Sequence, residues 1–311
     1  MIDHSAIEVA ANRIASHIRR TPVIELEPGA LGIDATLVLK LESQQISGSF
    51  KIRGATNAVL SSPELAAGGL VAASGGNHGV AVATVARRMG LRARIFVPSI
   101  SSEAKRTLLR DLGAEVIVAG DVYVESRSAA QADAEASGGL MVHAFEAEET
   151  IIGQGSIGME LDKQAPDLDA LVLSVGGGGL AAGLAAWFNR RIPLICAEPE
   201  RAPTLHAALA AGAPVDVETG GIAADALGCR RLGDLAFETL ATAEVESRLV
   251  EDEDIQRAQH DLWREVRLAA EPAAALPIAC LRAMPPDRIA NRRIGVLICG
   301  ANIDPAQLSA G

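Results

Sequence analysis

Short apolar runs alternate with helical stretches along this chain, and this alternation restricts its fold more than any other feature. Three of the runs begin at residues 70, 94 and 116, about 22 to 24 residues apart, which leaves room for a helix between parallel strands. The runs hold few polar residues, as is typical of strands that helices cover on both faces of a sheet. We therefore predict an α/β fold built on parallel sheet, whose last strand lies near residues 294–298.

Lysine is rare in this chain. Only four lysines occur among the 311 residues, at positions 40, 51, 105 and 163. Lys51 stands in the run Ser-Gly-Ser-Phe-Lys-Ile-Arg-Gly, where small residues let a ligand approach and Phe50 could lie against a flat ring. Unlike arginine, a lysine withdrawn from water can lose its proton and form a Schiff base. From this run alone, a reactive amine and an ordinary helix start explain Lys51 equally well.

A second candidate site is the run Ser-Gly-Gly-Asn-His-Gly at residues 74–79. It follows an apolar strand and precedes a helical stretch that stops at Gly90. Asn77 could offer an amide to a ligand, and the N–H groups of the loop could hold a carboxylate at the start of the helix. A tight turn that binds nothing would show the same local pattern.

Four successive glycines form a third candidate: Gly176, Gly177, Gly178 and Gly179. They lie between an apolar run and a helical stretch, so backbone amides can converge on a phosphate that the helix dipole also favours. The spacing lacks the G-x-G-x-x-G pattern and the ribose-binding acid of a dinucleotide site. We interpret the run as a phosphate site rather than as a merely flexible turn.

The cysteines point to one further position. None of the four, Cys196, Cys229, Cys280 and Cys299, shows the spacing of a disulfide framework or a zinc site, which is typical of a protein in a reducing cytosol. Cys299 differs from the others because it closes an apolar strand directly before the small residues Gly300 and Ala301. We therefore treat Cys299 as a candidate site residue.

Five runs carry a resemblance to a known family: SGSFKIRGA, SGGNHG, GGGGLAAG, EPAAA and CGAN, in this order. Together they resemble the pyridoxal-phosphate enzymes of fold type II, and within these the serine/threonine dehydratase family, which also includes serine racemase. The resemblance implies a two-domain, parallel-sheet fold like that of the tryptophan synthase β subunit. Residues 1–66 and 144–311 would form a large cofactor-binding domain, and residues 67–143 a small inserted domain that closes over the substrate.

The resemblance also implies roles for the cofactor-binding residues. Lys51 would hold pyridoxal 5'-phosphate covalently and act as the catalytic base, with Phe50 packed beside the ring. Asn77 would bond the phenolic oxygen of the cofactor, and Cys299 would face its pyridine nitrogen. The four glycines would cradle the phosphate: Gly176, Gly177, Gly178 and Gly179. Glu271 resembles a position near the cofactor.

The resemblance also implies which residues bind the substrate and from which face it is protonated. In the resemblance, the loop that grips the substrate carboxylate consists of Ser74, Gly75, Asn77 and His78. Serine racemase carries a serine at the position of Gly75, where it protonates the opposite face of the substrate. Glycine has no such proton, which disfavours racemisation as the main reaction, although Ser74 is close by.

Two further departures from the family pattern concern a cation and the substrate. Cation-binding members use a glutamate and an aspartate. Glu198 matches the first, but Thr204 stands at the second position, so we expect no divalent metal. Ala226 after Asp225 replaces the usual glycine, which leaves the substrate side chain open.

The expected activity is the β-elimination of water from a small β-hydroxy amino acid, L-threonine or L-serine, followed by hydrolysis of the product to a 2-oxo acid and ammonia. The alternatives are an amino-acid racemase and a catabolic dehydratase of a modified hydroxy amino acid, such as one from hydroxyectoine breakdown. A cofactor-binding protein without catalysis would require Lys51 to be structural.

The overall charge agrees with a soluble enzyme of this kind. A net charge of −11 argues against nucleic-acid and anionic-membrane partners. The N-terminus lacks an apolar signal core, and no run approaches the roughly 18 apolar residues of a membrane span. We expect a cytoplasmic enzyme that forms a homodimer and whose other partner is a small amino-acid substrate.

Overall fold

The computed structural model describes residues 2–304 and, within that range, arranges ten strands in two sheets. In chain order the strands are β1 (Val23–Leu26), β2 (Thr36–Leu41), β3 (Leu70–Ala73), β4 (Ala93–Val97), β5 (Glu115–Val118), β6 (Leu140–Met141), β7 (Ala170–Ser174), β8 (Leu194–Pro199), β9 (Val245–Val250) and β10 (Arg293–Ile298).

Fourteen α-helices lie between and around these strands in the described residues. They are α1 (His4–Ile14), α2 (Lys51–Ser61), α3 (Pro63–Ala67), α4 (Asn77–Met89), α5 (Glu103–Asp111), α6 (Tyr123–Ser137), α7 (Glu148–Gln164), α8 (Gly179–Phe188), α9 (Thr204–Ala211), α10 (Ala224–Leu227), α11 (Asp234–Leu240), α12 (Asp252–Asp261), α13 (Pro272–Arg282) and α14 (Pro286–Ile289). Helix α4 ends at Gly90, whose φ of +68° is the left-handed cap that the sequence predicts.

The larger sheet has six strands in the order β1-β2-β10-β7-β8-β9. Its strands run parallel, except that β1 pairs with β2 in the antiparallel direction. The last strand, β10, therefore lies between β2 and β7, in the middle of the sheet. Because parallel strands end at one edge, the residues that follow β2, β7 and β10 meet there.

The smaller sheet has four parallel strands in the order β5-β4-β3-β6. Strands β3 and β6 are neighbours, with Leu70 opposite Leu140 and Val71 opposite Met141. The loop that begins at Ser74 and the segment that begins at Val142 consequently leave the sheet at the same edge.

The burial of the strands confirms the predicted α/β class. Every residue of β3 and β7 is buried, as expected for strands that helices cover on both faces. Of the helices within residues 2–304, none has both the length and the hydrophobicity that crossing a lipid bilayer requires.

Helix α2 connects the two sheets. Its residues Ile52 and Ala55 belong to the hydrophobic core that also contains Leu70 of β3 and Val82 of α4. All four strands of the smaller sheet lie within residues 67–143, whereas α2 precedes that range. The boundaries of the inserted domain, residues 67–143, stay a prediction, and the packing of α2 places the lysine-bearing helix against this smaller core.

Candidate active site

Lys51 is the first residue of α2 and follows Phe50 directly. Its Nζ donates a hydrogen bond of 2.9 Å to the carbonyl oxygen of Ala144 and lies 5.1 Å from the centre of the Phe50 ring. The partner of this amine is thus an uncharged carbonyl. A carbonyl does not stabilise an ammonium ion as a carboxylate does, so the amine can exist without its proton.

The pKa of Lys51 is lowered from its ordinary value. Burial of the amine is the main cause, and the surrounding Cys229, Cys299 and Glu271 oppose the shift. A lysine with a depressed pKa has a larger fraction of free amine at neutral pH, which is what a nucleophile or a general base requires.

Backbone contacts fix Lys51 against the end of β10. Phe50 N donates to the carbonyl of Cys299 at 3.0 Å, and Ala301 N donates to the carbonyl of Gly48 at 2.9 Å. Gly48 has a φ of +74°, and a Cβ there would overlap the side chain of Asn302. The run before Lys51 therefore needs its glycine, and it delivers the lysine to the edge where the strands of the larger sheet end.

Cys299 is buried at that edge, 3% exposed. Burial, together with the nearby charge of Glu271, raises the pKa of the Cys299 thiol well above its ordinary value. The thiol stays neutral, so it can exchange a hydrogen bond with a ring nitrogen but cannot place a negative charge beside it.

Asn77, the first residue of α4, is held by two side chains from distant parts of the chain. Its Nδ2 lies 2.8 and 2.9 Å from the two carboxylate oxygens of Glu271, and its Oδ1 accepts from Asn302 Nδ2 at 2.7 Å. Burial raises the pKa of Glu271 to about 7, a rise that Asp225 adds to and that Asn77 and Lys51 oppose.

His78 has its side chain beneath the loop. Its Nε2 lies 2.8 Å from the carbonyl oxygen of Val142, so this nitrogen carries the proton and donates. Burial and the charge of Lys51 lower the pKa of His78 to about 3, which leaves Nδ1 as an acceptor. The ring of a neutral His78 in this tautomer cannot donate a second hydrogen bond to a carboxylate. The predicted part of His78 in gripping the substrate is therefore limited to its backbone N–H.

The loop before α4 has space at one glycine. A Cβ on Gly75 would have Ser101 Oγ as its nearest neighbour at 3.3 Å, with Val97 Cγ1 at 3.6 Å. Ser74 Oγ accepts from Gly76 N at 3.2 Å. Gly75, at the position of the racemase serine, therefore provides no proton donor, although the structure has room there for a small side chain.

The four glycines stand between β7 and the N-terminus of α8, as predicted. A Cβ on Gly177 would overlap the ring of Phe145, and one on Gly179 would lie 2.9 Å from the carbonyl oxygen of Phe145. Gly178 has a φ of +86°. Because the first N–H groups of a helix have no partner within the helix, this turn presents amide donors together with the positive end of the helix dipole.

The sequence did not single out the segment at residues 143–146, which joins the lysine to the glycine turn. Ala144 accepts from Lys51, Phe145 packs on Gly177, and His143 packs edge-on against Phe145 with ring centres 5.5 Å apart. Glu146 N donates to His143 Nδ1 at 2.9 Å, so the proton of the neutral ring is on Nε2. The only available signal was topological: the segment follows β6, the neighbour of β3.

Cys229 was also missed. The Gly177 N–H bonds its thiol, and burial raises the pKa of this thiol while Lys51 acts in the opposite direction. The loop after α10 brings Cys229 to the site. The sequence spacing between Cys229 and the other cysteines therefore does not predict this position.

Glu198 uses its carboxylate within the protein. Its Oε1 accepts from Leu205 N at 2.7 Å, and its Oε2 accepts from His206 N and Ser247 Oγ, each at 2.8 Å. Thr204, at the position of the family aspartate, donates to the carbonyl of Gly176 at 2.6 Å. Among residues 2–304, no group of three or more His, Cys, Asp and Glu side chains is arranged to hold a metal ion.

The residues at this edge fit pyridoxal phosphate. Lys51 supplies an amine with a depressed pKa, and Cys299 supplies a neutral hydrogen-bonding group. The glycine turn supplies amide donors at a helix N-terminus, and side chains at Gly177 or Gly179 would be excluded by Phe145. The cofactor needs these three features for its aldehyde carbon, ring nitrogen and phosphate.

Comparison with known proteins agrees with this geometry. The family model described as "Pyridoxal-phosphate dependent enzyme" matches residues 14–300. An L-threonine ammonia-lyase from Geobacter sulfurreducens is 33% identical over 99% of this chain and 78% of its own length. A phenylserine dehydratase from Ralstonia pickettii is 34% identical over 98% of this chain and 94% of its own.

Solved structures give the same result. The serine racemase of maize superposes with a TM-score of 0.91, at 29% identity, covering 99% of this chain and 95% of that one. The processed form of threonine deaminase isoform 2 from Solanum lycopersicum superposes with a TM-score of 0.89, at 29% identity, covering 99% and 92%. The fold type II architecture is therefore confirmed. The chain belongs to the family of pyridoxal-phosphate dependent enzymes.

Proposed function

We propose that this protein is an ammonia-lyase that eliminates water from a small β-hydroxy amino acid, whose unsaturated product is then hydrolysed to a 2-oxo acid and ammonia, with L-threonine and L-serine as the first candidates. The observation that carries this proposal is the amine of the half-buried Lys51, whose partner is a carbonyl, set beside a neutral thiol. Relatives named as L-threonine ammonia-lyase and phenylserine dehydratase support the reaction class.

Lys51 is the proposed base. When bound, pyridoxal phosphate supplies an electron sink for the negative charge that forms at the substrate α-carbon. Lys51, held by Ala144 at the start of α2, is the group in this site that can take the α-proton as a free amine. Its depressed pKa increases the fraction of the amine in that form.

Cys299 is the proposed partner of the ring nitrogen, and its neutrality bears on which reaction follows. A carboxylate at this position would hold a proton on the nitrogen and stabilise a long-lived carbanion. A thiol with a raised pKa does so less, which favours prompt loss of a β-hydroxyl over transamination. Phe50 is the proposed packing partner of the ring, and Gly176 to Gly179 the proposed phosphate cradle.

The loop at residues 74–79 is the proposed site of the substrate carboxylate. It lies at the N-terminus of α4, where N–H groups and the helix dipole favour an anion. Of the predicted contacts, Ser74, Gly75 and Asn77 remain as proposed, and His78 contributes through its backbone.

Gly75 supports elimination rather than racemisation. Racemisation needs acids on both faces of the planar carbanion, whereas elimination needs a base on one face and a proton for the leaving oxygen. We expect 2-oxo acid to exceed the D-amino acid by at least roughly tenfold, about 1.4 kcal/mol in relative barrier.

A substrate panel tests the proposal. Purified holoenzyme is incubated with L-threonine, L-serine and threo-phenylserine, and ammonia, 2-oxo acid and the D-enantiomer are quantified. We expect ammonia and 2-oxo acid in equal amounts from at least one of the three. Release of neither product from the panel would contradict these substrates and favour the dehydratase of a modified hydroxy amino acid. A yield of D-serine equal to or above that of pyruvate would contradict elimination as the main reaction and favour the racemase. The outcome also distinguishes the two remaining alternatives, a racemase and a dehydratase of a modified hydroxy amino acid.

The cytoplasmic location and the homodimer also belong to the proposal. The absence of paired cysteine spacings supports the first. Sedimentation of the holoenzyme tests the second, with the mass of two 32.2 kDa chains expected.

A further inference from the structure

Asn77 is held by a chain of hydrogen bonds that starts at a backbone carbonyl and ends at a buried carboxylate. Asn302 Nδ2 lies 2.9 Å from the carbonyl oxygen of Ser47 and 2.7 Å from Asn77 Oδ1. Asn77 Nδ2 lies 2.8 and 2.9 Å from the oxygens of Glu271, a residue 6% exposed to solvent. Three segments that are far apart in sequence thus converge on one amide.

The chemistry of these groups permits only one orientation of each amide. A carbonyl oxygen only accepts, so Ser47 requires the nitrogen of Asn302 on its side. The second N–H of that nitrogen needs an acceptor, which makes the facing atom of Asn77 its oxygen. The nitrogen of Asn77 therefore faces Glu271, which keeps at least one accepting oxygen whether or not its carboxyl group is protonated. The orientation of Asn77 follows from a backbone atom and does not depend on the ligand.

One N–H bond of Asn77 remains for a ligand. The two oxygens of a single carboxylate subtend a much smaller angle at Nδ2 than the angle between its two N–H bonds. A single N–H is therefore shared between the oxygens of Glu271, and the other points elsewhere.

Two glycines make room for this chain. A Cβ on Gly300 would overlap the Glu271 carboxylate, and a Cβ on Gly48 would overlap the Asn302 amide. Backbone bonds hold both ends in place, since Glu271 N donates to Gly300 O at 3.1 Å and Ala301 N donates to Gly48 O at 2.9 Å. The backbone on both sides is shaped around the two side chains.

We propose that Glu271 and Asn302 are positioning residues of the active site, which orient the Asn77 amide so that one Nδ2–H stays available to the ring oxygen of the cofactor. The proposal rests on the proposed cofactor contact of Asn77. Without either residue, Asn77 can rotate and present its oxygen to the oxygen of the cofactor, where two acceptors repel each other.

A double-mutant cycle on cofactor affinity tests this role. The cofactor is removed from the holoenzyme and titrated back, and the visible absorbance reports the dissociation constant of pyridoxal phosphate. Asn302→Ala and Asn77→Ala should each raise this constant about tenfold, or about 1.4 kcal/mol. In the Asn77→Ala background, Asn302→Ala should have no further effect, because it acts through Asn77.

Asn57→Ala is the matched control. Asn57 is 1% exposed on the same helix as Lys51 and also uses both ends of its amide, accepting from Arg13 at 2.8 Å and donating to Glu149 O at 2.7 Å. This variant should lose stability while its cofactor affinity and absorbance maximum stay unchanged.

The proposal is overturned if Asn302→Ala leaves the affinity for pyridoxal phosphate unchanged, or if its effect adds fully to that of Asn77→Ala. It is also overturned if Asn57→Ala weakens cofactor binding as much as Asn302→Ala does. Glu271→Leu gives the same test should Asn302→Ala fail to fold, since it removes both acceptor oxygens at a similar side-chain volume. Cofactor affinity is measured without substrate, so failure of the substrate panel would leave this result standing.

Discussion

Lys40 and Lys51 lie eleven residues apart, and burial lowers the pKa of both, yet their partners differ. Lys40 is fully buried, and its three N–H bonds go to Glu160 at 2.7 Å, Gln164 at 2.8 Å and the Thr21 carbonyl at 2.9 Å. Lys51 is half-buried and donates to the carbonyl of Ala144. The Lys40 amine thus has a carboxylate partner that stabilises its positive charge. The Lys51 amine has a carbonyl partner, which accepts a hydrogen bond from the neutral amine as well.

The surroundings of Lys40 form a fully satisfied charge network. Arg53 is 0% exposed and directs all of its donors to Glu42, Glu160 and Ser156, at 2.8 to 3.2 Å. The charges and hydrogen bonds of Arg53 and Lys40 outweigh burial and lower the pKa of Glu160. In contrast, burial raises the pKa of Glu271 to about 7 at the candidate site.

The difference separates a structural network from a reactive one. A buried charge whose partners are complete fixes geometry, and here Arg53 anchors the first turn of α2 that begins with Lys51. A buried ionisable group whose partners are incomplete keeps hydrogen-bonding capacity that a ligand can use. The same short run of sequence thus contains both the proposed reactive lysine and the arginine that anchors its helix.

The largest expected effect distinguishes the two lysines directly. Lys51→Ala should lower turnover by at least roughly 10³-fold, because the proposed base is removed, and should abolish the visible band of the bound cofactor. Lys40→Ala should keep the band and most of the turnover while losing stability. Steady-state assays and absorbance spectra measure both, and a reversed pattern would contradict the assignment.

Removing the arginine should damage the structural network. Arg53→Met leaves Glu42 and Glu160 buried beside Lys40 alone, and we expect the free energy of unfolding to fall by about 3 to 5 kcal/mol. Urea unfolding at pH 7 gives this value. A change below about 0.5 kcal/mol, the range of ordinary surface substitutions, would show that the network is not structural.

The two buried glutamates should give opposite pH dependences. Because the folded pKa of Glu271 is raised, the native protein keeps a proton between pH 4.5 and about 7 that the unfolded chain has lost, and stability falls as pH rises through this window. Its contribution is on the order of 3 kcal/mol, from 1.36 kcal/mol per pKa unit. The pKa of Glu160 is lowered, so its contribution is present above pH 4.5 and is lost as pH falls below it.

Substitution by glutamine isolates each contribution. In the unmodified enzyme, the free energy of unfolding should fall as pH rises from 4.5 to 7. In Glu271→Gln, at the same cofactor concentration, this part of the fall should be absent. Glu160→Gln should remove a loss below pH 4.5. Unfolding curves at several pH values measure both, and slopes of the same sign in the two differences would refute the contrast.

Adding a proton donor at position 75 should increase racemisation relative to elimination. Gly75 lies at an unstrained backbone position, and a Cβ added there would lie 3.3 Å from Ser101 Oγ, so Gly75→Ser should fold. The new hydroxyl can protonate the second face of the carbanion, and we expect the D-serine to pyruvate ratio to rise about tenfold, or about 1.4 kcal/mol. Chiral chromatography beside an oxo-acid assay measures the ratio. An unchanged ratio would remove Gly75 from the choice between the two reactions.

The smallest effect is expected at the ring nitrogen. Cys299→Ser should stay active, because a hydroxyl can replace the neutral thiol as a hydrogen-bonding group. Cys299→Asp should shift the products toward transamination. Loss of all activity in the serine variant while the cofactor stays bound would argue against the proposed role of Cys299.

Local sequence patterns predicted the features that depend on neighbouring residues. The strands that begin near residues 70, 94, 116 and 294, the Gly90 stop and the glycine turn follow from short runs, whereas β1, β6 and β9 were not predicted. The contact between Asn77 and Glu271 joins residues 194 positions apart, and the contact between Ala144 and Lys51 depends on the pairing of β6 with β3. No local run contains such contacts.

The orientation of His78 shows the same limit. The run Asn-His-Gly places it one residue after Asn77, but only the packing of α4 against the smaller sheet turns its ring toward the Val142 carbonyl. The short run identifies the loop, but it does not show which side chains of the loop point toward the protein interior.

The central claim is that Lys51, among the four lysines, is the reactive amine. Reduction of the holoenzyme with borohydride fixes the cofactor to the lysine that holds it, and mass spectrometry of the digested protein locates the modified residue. We predict one modified peptide, which contains Lys51. A modification on Lys40, Lys105 or Lys163, or no modified peptide from enzyme that contained the cofactor before reduction, would contradict the distinction between the reactive and the structural lysine.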